Sequence, residues 1–227
     1  SIAAGEALGL VGESGSGKST LARLLGGLLH PTSGTIRIGG PLRRMVQMIF
    51  QDPTMSLNPR MTVEEIVGEP LVIHRLALRR AARRQRVEEL LASVQLPAAY
   101  CRRLPRQLSG GERQRVGIAR AIATDPALLI CDEPIASLDV SVGAAILRVL
   151  ATLHRQRRMA LLFISHDLGA VASLCGRIAV MSQGRIVEDA PAPQLLTRPA
   201  EAYTRLLLRS AALDLDTPDS PCPSPTF

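Results

Sequence analysis

The stretch GESGSGKST, at positions 12–20, restricts the fold of this chain more than any other part of its sequence. It matches the pattern G-x-x-x-x-G-K-[ST], which is found between a buried strand and a helix. The apolar run EALGLV at 6–11 precedes it, and the apolar spacing of LARLLGGLL at 21–29 predicts a helix after it. The sequence therefore predicts a strand, a glycine-rich loop and a helix, in that order.

This loop has the residue types that bind phosphate. Its glycines allow consecutive backbone N–H groups to turn inward at a helix N-terminus, where the helix dipole favours an anion. Lys18, the only lysine in the chain, is placed to reach the β- and γ-phosphates of a nucleotide, and Ser19 to ligate Mg²⁺. A glycine turn with a surface lysine is the alternative, and the flanking strand and helix disfavour it. The predicted nucleotide-binding residues are Gly12, Glu13, Ser14, Gly15, Ser16, Gly17, Lys18, Ser19 and Thr20.

Two further apolar runs lead directly into polar residues. ALLIC at 127–131 is followed by Asp132 and Glu133, and MALLFI at 159–164 is followed by Ser-His-Asp. Runs without polar alternation are typical of parallel strands covered on both faces, whose carboxyl ends meet at one edge of the sheet. Helical patterns follow at 143–155 and 168–174. We therefore predict an α/β fold with a parallel-sheet core and its site at that edge.

The acidic pair after the first of these runs is a candidate for catalysis. Asp132 is placed to hold Mg²⁺, directly or through water, and Glu133 to polarise an attacking water as a general base. Acidic residues are common in turns, so the pair alone is a weak signal. Together with the glycine-rich loop it predicts nucleotide hydrolysis.

The chain divides into regions of different pattern. Strand signals stop near residue 60 and return near residue 126, which predicts a helical subdomain inserted into the α/β core. RIAVMSQGRIVEDA at 177–190 predicts a hairpin that turns at Gln183-Gly184. Residues 214–227 contain Pro, Ser and Asp but little to pack, which is typical of disorder. The predicted organisation is 1–59 and 126–190 as α/β core, 60–125 as helical subdomain, 191–213 as C-terminal helices and 214–227 as a disordered tail.

The net charge of +7 raises the question of nucleic-acid binding. Much of the excess lies in LRRAARRQR at 78–86, which runs on into apolar residues at helical spacing: Val87, Leu90, Leu91 and Val94. We interpret its arginines as the solvated face of an amphipathic helix. The chain has no Trp and few other aromatic residues, which disfavours stacking on bases.

The four cysteines have no metal-binding spacing and favour a reducing compartment. No apolar run approaches the length of a membrane span.

A second glycine-rich helix start is the most specific signal. LSGGERQRVGIARA at 108–121 places Ser109, Gly110 and Gly111 where a helix begins, although one nucleotide does not need two such phosphate-binding ends. LSGGERQR resembles the signature motif of the ATP-binding cassette (ABC) ATPases, in register with the loop and the acidic strand. The chain is thus identified as a P-loop NTPase with the fold of an ABC nucleotide-binding domain, for which ATP and Mg²⁺ are expected. This fold implies a parallel-sheet core, an inserted helical subdomain and a small antiparallel β part, whose N-terminal segment we expect to be missing from this sequence.

The resemblance extends to single residues. Gln51 in MIFQDP resembles the Q-loop glutamine, which implies contact with Mg²⁺ and the attacking water, and His166 in FISHDL resembles the switch histidine, which implies contact with the γ-phosphate. It also implies that Ser109, Gly110 and Gly111 act in trans, in a head-to-tail dimer with two ATP molecules sandwiched between the chains. Asp139 resembles the D-loop aspartate at that interface. IASLD at 135–139 has an isoleucine-alanine-serine order where the family more often has serine-alanine before Leu-Asp.

The resemblance also predicts an aromatic side chain upstream of the glycine-rich loop that stacks on adenine. No aromatic residue precedes Phe50 in this sequence. We therefore expect either that the sequence lacks such an upstream segment or that this chain, as written, holds adenine weakly.

FQDPTMSLNPRMTV at 50–63 and EAYTRLLLRSA at 201–211 resemble the ATPases of bacterial dipeptide, oligopeptide and nickel importers. This implies a peripheral protein on the cytoplasmic face of the inner membrane. The implied partners are a two-subunit transmembrane permease, a second ABC ATPase chain in a hetero- or homodimer and, indirectly, an extracytoplasmic solute-binding protein. Peptide and nickel both stay open as cargo, and no nucleic acid is expected.

Two other functions share part of this pattern. A soluble ABC ATPase acting on nucleic acid or the ribosome would have the same phosphate motifs and would suit the basic charge. A P-loop kinase would share the glycine-rich loop but not LSGGERQR.

Overall fold

A computed structural model describes residues 1–40, 42–51, 56–76 and 79–215. The strands are β1 (Ala7–Val11), β2 (Val46–Ile49), β3 (Leu128–Asp132), β4 (Ala160–Ile164), β5 (Arg177–Ser182) and β6 (Arg185–Pro191). The helices are α1 (Lys18–Leu25), α2 (Leu42–Met45), α3 (Val63–Ile73), α4 (Arg80–Ser93), α5 (Gly110–Ala121), α6 (Val140–Arg157), α7 (Leu168–Leu174), α8 (Ala192–Thr197) and α9 (Ala202–Leu215). Short 3-10 turns lie at Ala98–Arg102, Pro105–Gln107 and Ile122–Thr124.

The six strands form one sheet in the order β2-β3-β4-β1-β5-β6. Every neighbouring pair is parallel except β5 and β6, which form an antiparallel hairpin. Leu10 and Asp132 both lie opposite Ile164, so β1, β3 and β4 end together at one edge. The predicted α/β fold with a parallel core is confirmed, and so is the hairpin, which turns at Gln183 and Gly184 with positive φ at both residues.

The central strands are uniformly apolar because the sheet is covered on both faces. All five residues of β1 and all five of β4 are buried. Phe163 packs into one hydrophobic cluster, whereas its neighbours Leu162 and Ile164 pack into the other. Alternate side chains of a strand point to opposite faces, so each face has its own core.

Helices α3, α4 and α5 follow β2 and precede β3 in the chain, and they pack against one another. Helix α3 begins with a capping box, in which the Thr62 hydroxyl accepts from the Glu65 N–H and the Glu65 carboxylate accepts from the Thr62 N–H. In α4 the apolar side chains predicted to face the core are completely buried, while Arg84 and Arg86 pair with glutamates on the solvent side. The arginines of the described part of this segment therefore lie on the solvent-exposed face of a helix that packs against the core through its apolar face. Among the described helices, none is long and apolar enough to cross a membrane.

Several bounds differ from the expectations. Helix α1 ends at Leu25 and not at residue 29, because Gly26 and Gly27 terminate it and Gly27 has a left-handed φ of 69°. Strand β2 was not predicted, since its sequence VQMI is short and contains a polar residue. Residues 214 and 215 were assigned to a disordered tail, but they are the last residues of α9. The rest of the proposed tail, 216–227, lies outside the described residues.

Gly9, in the middle of β1, should tolerate no side chain. A Cβ at this position would lie 2.2 Å from Cγ1 of Val171 on helix α7. We expect Gly9→Ala to lower the free energy of unfolding by about 1–3 kcal/mol through overpacking, measured by urea denaturation. Gly117→Ala in α5 is the control, because a Cβ there meets nothing within 4 Å, and should leave stability unchanged or raise it by up to about 1 kcal/mol. Equal effects of the two substitutions would contradict this account.

Candidate functional site

The glycine-rich loop joins β1 to α1 in a conformation that requires glycine. Gly12, Gly15 and Gly17 have φ of 152°, 80° and 105°, a region that residues with a Cβ disfavour. A Cβ on Gly12 would also lie 2.2 Å from the carbonyl oxygen of Met181 on β5. The backbone can therefore follow this path, close against the sheet, only with glycine at these positions.

Helix α1 opens toward a cavity at the end of the parallel strands. The first backbone hydrogen bond into the helix runs from the Leu21 N–H to the Gly17 carbonyl, at 2.9 Å. The N–H groups of Lys18, Ser19 and Thr20 consequently have no acceptor within the helix. All three residues line the cavity, whose volume is about 480 Å³. Free N–H groups at the positive end of a helix favour an anion.

Lys18 is folded back into the loop. Its Nζ donates to the carbonyl oxygens of Gly12 and Glu13, both at 2.7 Å, and to Oγ of Ser16 at 3.3 Å. The residue is only 8% exposed, and burial lowers the pKa of its ammonium group, opposed by the nearby carboxylates of Glu133 and Asp132. Its hydrogen-bond acceptors are all uncharged, so the buried cation suits an incoming phosphate.

Asp132 and Ser19 bring two oxygen ligands together beside this loop. The Ser19 hydroxyl donates to Oδ1 of Asp132 at 3.2 Å. Burial raises the pKa of the Asp132 carboxyl above its usual range, while the bond from Ser19 acts in the opposite direction. A hydroxyl and a carboxylate fit Mg²⁺, which prefers oxygen and usually keeps waters and substrate phosphates among its ligands. Within the described residues no cluster of three or more His, Cys, Asp or Glu forms a separate metal site.

Glu133 follows β3 in a left-handed conformation, with φ of 48°. Its backbone N–H donates to the carbonyl of Ile164 at 2.9 Å, which holds the residue at the edge of the sheet. Its Oε2 lies 3.3 Å from Nδ1 of His166, whose side chain is 68% exposed. Glu133, His166 and Gln51 all line the cavity that the glycine-rich loop lines, so residues distant in sequence meet around one space.

Ser109, Gly110, Gly111 and Asp139 lie elsewhere. None of these four is among the described residues that line the cavity. Ser109 caps α5 in a reciprocal arrangement, accepting from the Glu112 N–H while the Glu112 carboxylate accepts from the Ser109 N–H. A Cβ on Gly111 would lie 2.4 Å from Cγ1 of Val142, so glycine lets the start of α5 approach the start of α6. Asp139 immediately precedes α6.

One contact with the loop was not predicted from the sequence. The hydroxyl oxygen of Tyr203, in helix α9, accepts a hydrogen bond from the backbone N–H of Glu13 at 3.1 Å. Tyr203 lies in EAYTRLLLRSA, one of the segments that resemble importer ATPases. Of the remaining loop residues, Ser14 lines the cavity, and Glu13 and Ser16 accept hydrogen bonds from Lys18.

Comparisons with known proteins agree with this arrangement. The family model described as ABC transporter matches residues 1–136. The chain is 46% identical over 228 residues to the oligopeptide transport ATP-binding protein OppF of Bacillus subtilis, covering 95% of this chain and 74% of OppF.

Two solved structures have the same fold. cbiO1 from Clostridium perfringens, part of the ABC transporter complex cbiONQ, superposes with a TM-score of 0.78 at 27% identity, covering 94% of this chain and 89% of cbiO1. The dimeric, post-hydrolysis ATP-binding cassette MJ0796, bound to ADP and Pi, gives a TM-score of 0.76 at 30% identity, covering 85% and 88% of the two chains. This chain belongs to the ABC transporter family of ATP-binding proteins.

Proposed function

We propose that this chain binds and hydrolyses ATP to power a bacterial importer. The observation that carries the proposal is the convergence of Lys18, the Ser19–Asp132 pair and the Glu133–His166 pair around one cavity. Peptide is the favoured cargo, because the relative OppF is named an oligopeptide transport protein. Nickel is supported only by the sequence resemblance to the wider importer branch.

Phosphate binding uses the loop and the lysine. The N–H groups of Lys18, Ser19 and Thr20 and the ammonium of Lys18 supply positive charge on one side of the cavity. Mg²⁺, held by Ser19, Asp132 and Gln51, would neutralise charge on the phosphate oxygens. Because the acceptors of Lys18 are neutral, its ammonium group can turn toward phosphate oxygens without leaving a carboxylate unpaired.

Hydrolysis uses the side chains at the strand ends. Glu133 is the general base that removes a proton from the attacking water. His166, within hydrogen-bond distance of Glu133, orients that carboxylate and contacts the terminal phosphate. Gln51 lines the same cavity and helps to place the water.

The signature residues act on a second chain. Ser109, Gly110 and Gly111 form a phosphate-binding helix end that is separate from the cavity of their own chain. A head-to-tail dimer, with Asp139 at its interface, brings this helix end to the ATP of the partner. The related cassette MJ0796 is described as a dimer bound to ADP and Pi, which supports this arrangement.

The membrane partner is a two-subunit permease, to which the chain binds peripherally at the cytoplasmic face. An extracytoplasmic solute-binding protein delivers the cargo and does not touch this chain. The pairing of two ATPase chains, identical or different, belongs to the same proposal.

Purification of the tagged full chain from its native cells tests this assignment. We expect a two-subunit permease to copurify after mild detergent extraction, and the chain to show MgATP hydrolysis. Salt-sensitive binding to nucleic acid without any permease would instead favour the soluble ABC alternative.

Glu133→Gln and Lys18→Ala separate catalysis from binding. Glu133→Gln should lower kcat on the order of 10²–10⁴-fold while MgATP binding is kept, because only the general base is removed. Lys18→Ala should weaken MgATP binding by about tenfold or more, since a charged contact to phosphate is lost. Phosphate release measures kcat, and equilibrium binding measures the affinity for MgATP. In size-exclusion chromatography, the Glu133→Gln chain should form a dimer when MgATP is present. The exposed Glu201→Gln is the control, and full hydrolysis by Glu133→Gln would remove Glu133 from its role.

Asp132→Asn should stabilise the nucleotide-free chain while impairing Mg²⁺-dependent hydrolysis. A carboxyl whose pKa is higher in the folded than in the unfolded state costs stability at every pH above that raised pKa. The gain over the wild type should be full at neutral pH and vanish as pH falls through the carboxyl range, where both states are protonated. Denaturation in EDTA measures it.

Asp167→Asn is the matched control for this prediction. The Asp167 carboxylate accepts from the Ala170 N–H at 2.9 Å and caps α7, where a negative charge is favourable. No gain in stability is expected from this substitution. A loss of stability in Asp132→Asn at neutral pH would contradict the argument.

A further inference from the structure

The C-terminal helix α9 forms a hydrogen bond with the phosphate-binding loop through the side chain of Tyr203. Tyr203 lies in the first turn of α9, and its hydroxyl oxygen accepts from the Glu13 N–H at 3.1 Å. The ring of Tyr203 is half-buried and packs against the main hydrophobic core. The contact joins residues that are 190 positions apart in the chain.

The bond holds the peptide group that also holds Lys18. The Glu13 N–H and the Gly12 carbonyl belong to one peptide, and the Gly12 carbonyl accepts from Nζ of Lys18 at 2.7 Å. This peptide is trans and planar, so its N–H and its C=O point in opposite directions. The Tyr203 hydroxyl and the Lys18 ammonium therefore form hydrogen bonds to opposite sides of the Gly12–Glu13 peptide group.

Gly12 gives that peptide a choice of orientations. Glycine lacks a Cβ, so the backbone on its C-terminal side can rotate at little steric cost. Rotation of the peptide would turn its carbonyl away from Lys18 and would break the bond to Tyr203 at the same time. The hydroxyl thus selects the one orientation in which the carbonyl meets the ammonium.

Helix α9 is itself anchored to the sheet. The Glu188 carboxylate, on β6, accepts from the N–H groups of Ala200 and Glu201 at 2.8 and 3.1 Å, directly before the helix. Thr204, next to Tyr203, is completely buried. Leu206, two residues beyond Thr204 and therefore on the side of the helix opposite to it, is 63% exposed. The position of the Tyr203 hydroxyl is therefore fixed by contacts independent of the loop.

We propose that Tyr203 is a positioning residue for the nucleotide site: through the Gly12–Glu13 peptide, its hydroxyl keeps the Lys18 ammonium ready to receive the phosphates. This rests on the proposed function, in which the loop binds MgATP. Because the effect passes through Lys18, it acts on the phosphate end of the nucleotide and is the same for any base.

Tyr203→Phe tests the proposal by removing one oxygen and keeping the packed ring. We expect the Kd and KM for MgATP to rise about three- to tenfold, the range for a lost neutral hydrogen bond. kcat should change by less than about twofold, since the lysine binds substrate and transition state alike. MgGTP should lose affinity by the same factor as MgATP. The Glu13 amide should exchange with deuterium faster than in the wild type, while the melting temperature stays close to that of the wild type.

Two further variants make the result specific. Leu206→Ala, on the exposed face of the same helix, should leave nucleotide affinity and Glu13 exchange unchanged. Glu188→Gln should loosen the start of α9 and weaken MgATP binding in the same direction as Tyr203→Phe, by a smaller factor, with the tyrosine intact.

The possible failures are distinguishable. Unchanged MgATP affinity and unchanged Glu13 exchange in Tyr203→Phe would overturn the positioning role while the ATPase assignment stands. A loss for MgATP without a loss for MgGTP would show that Tyr203 contacts the base, and would also overturn it. A wild-type chain that binds no MgATP would reject the proposed function itself, and this inference with it.

Discussion

The ammonium group of Lys18 is held by two peptide carbonyls and a hydroxyl, and no carboxylate of the described residues accepts a hydrogen bond from it. This arrangement depends on the loop path, which depends on glycine at position 12 because the loop passes close to Met181 on the neighbouring strand. That closeness in turn requires β1 and β5 to lie side by side and parallel. The lysine thus keeps a positive charge available for phosphate because of the order of strands in the sheet.

The acidic residues of the cavity, Asp132 and Glu133, are held in energetically unfavourable states that the packing of the sheet offsets. Asp132 is mostly buried, with a pKa raised by that burial, and Glu133 adopts a left-handed backbone that non-glycine residues disfavour. Asp132 is the last residue of β3 and Glu133 follows it directly. The apolar side chains of this strand pack on both faces of the sheet. A rigid core can hold unfavourable groups in place, and such groups are typical of sites that need charge in a defined position.

Sequence reasoning succeeded where chemistry and local pattern coincide. Lys18, Asp132 and Glu133 were expected near one another because each follows a buried strand, and the ends of parallel strands meet at one edge. Strand β2 was missed because VQMI is too short to show periodicity, and its placement comes from pairing with β3. The bond from Glu13 to Tyr203 was missed for a different reason: it depends on how α9 packs, and no local pattern encodes a contact between residues so far apart.

The uniqueness of Lys18 has a practical consequence. A protease that cleaves only after lysine has a single target bond in this sequence, and that bond lies in the first turn of α1, directly after the glycine-rich loop. Cleavage requires the loop and the first turn of α1 to open, so the rate of digestion measures this local opening. The other 26 of the 27 Lys and Arg residues are arginine, so no other lysine in the sequence adds a competing cleavage.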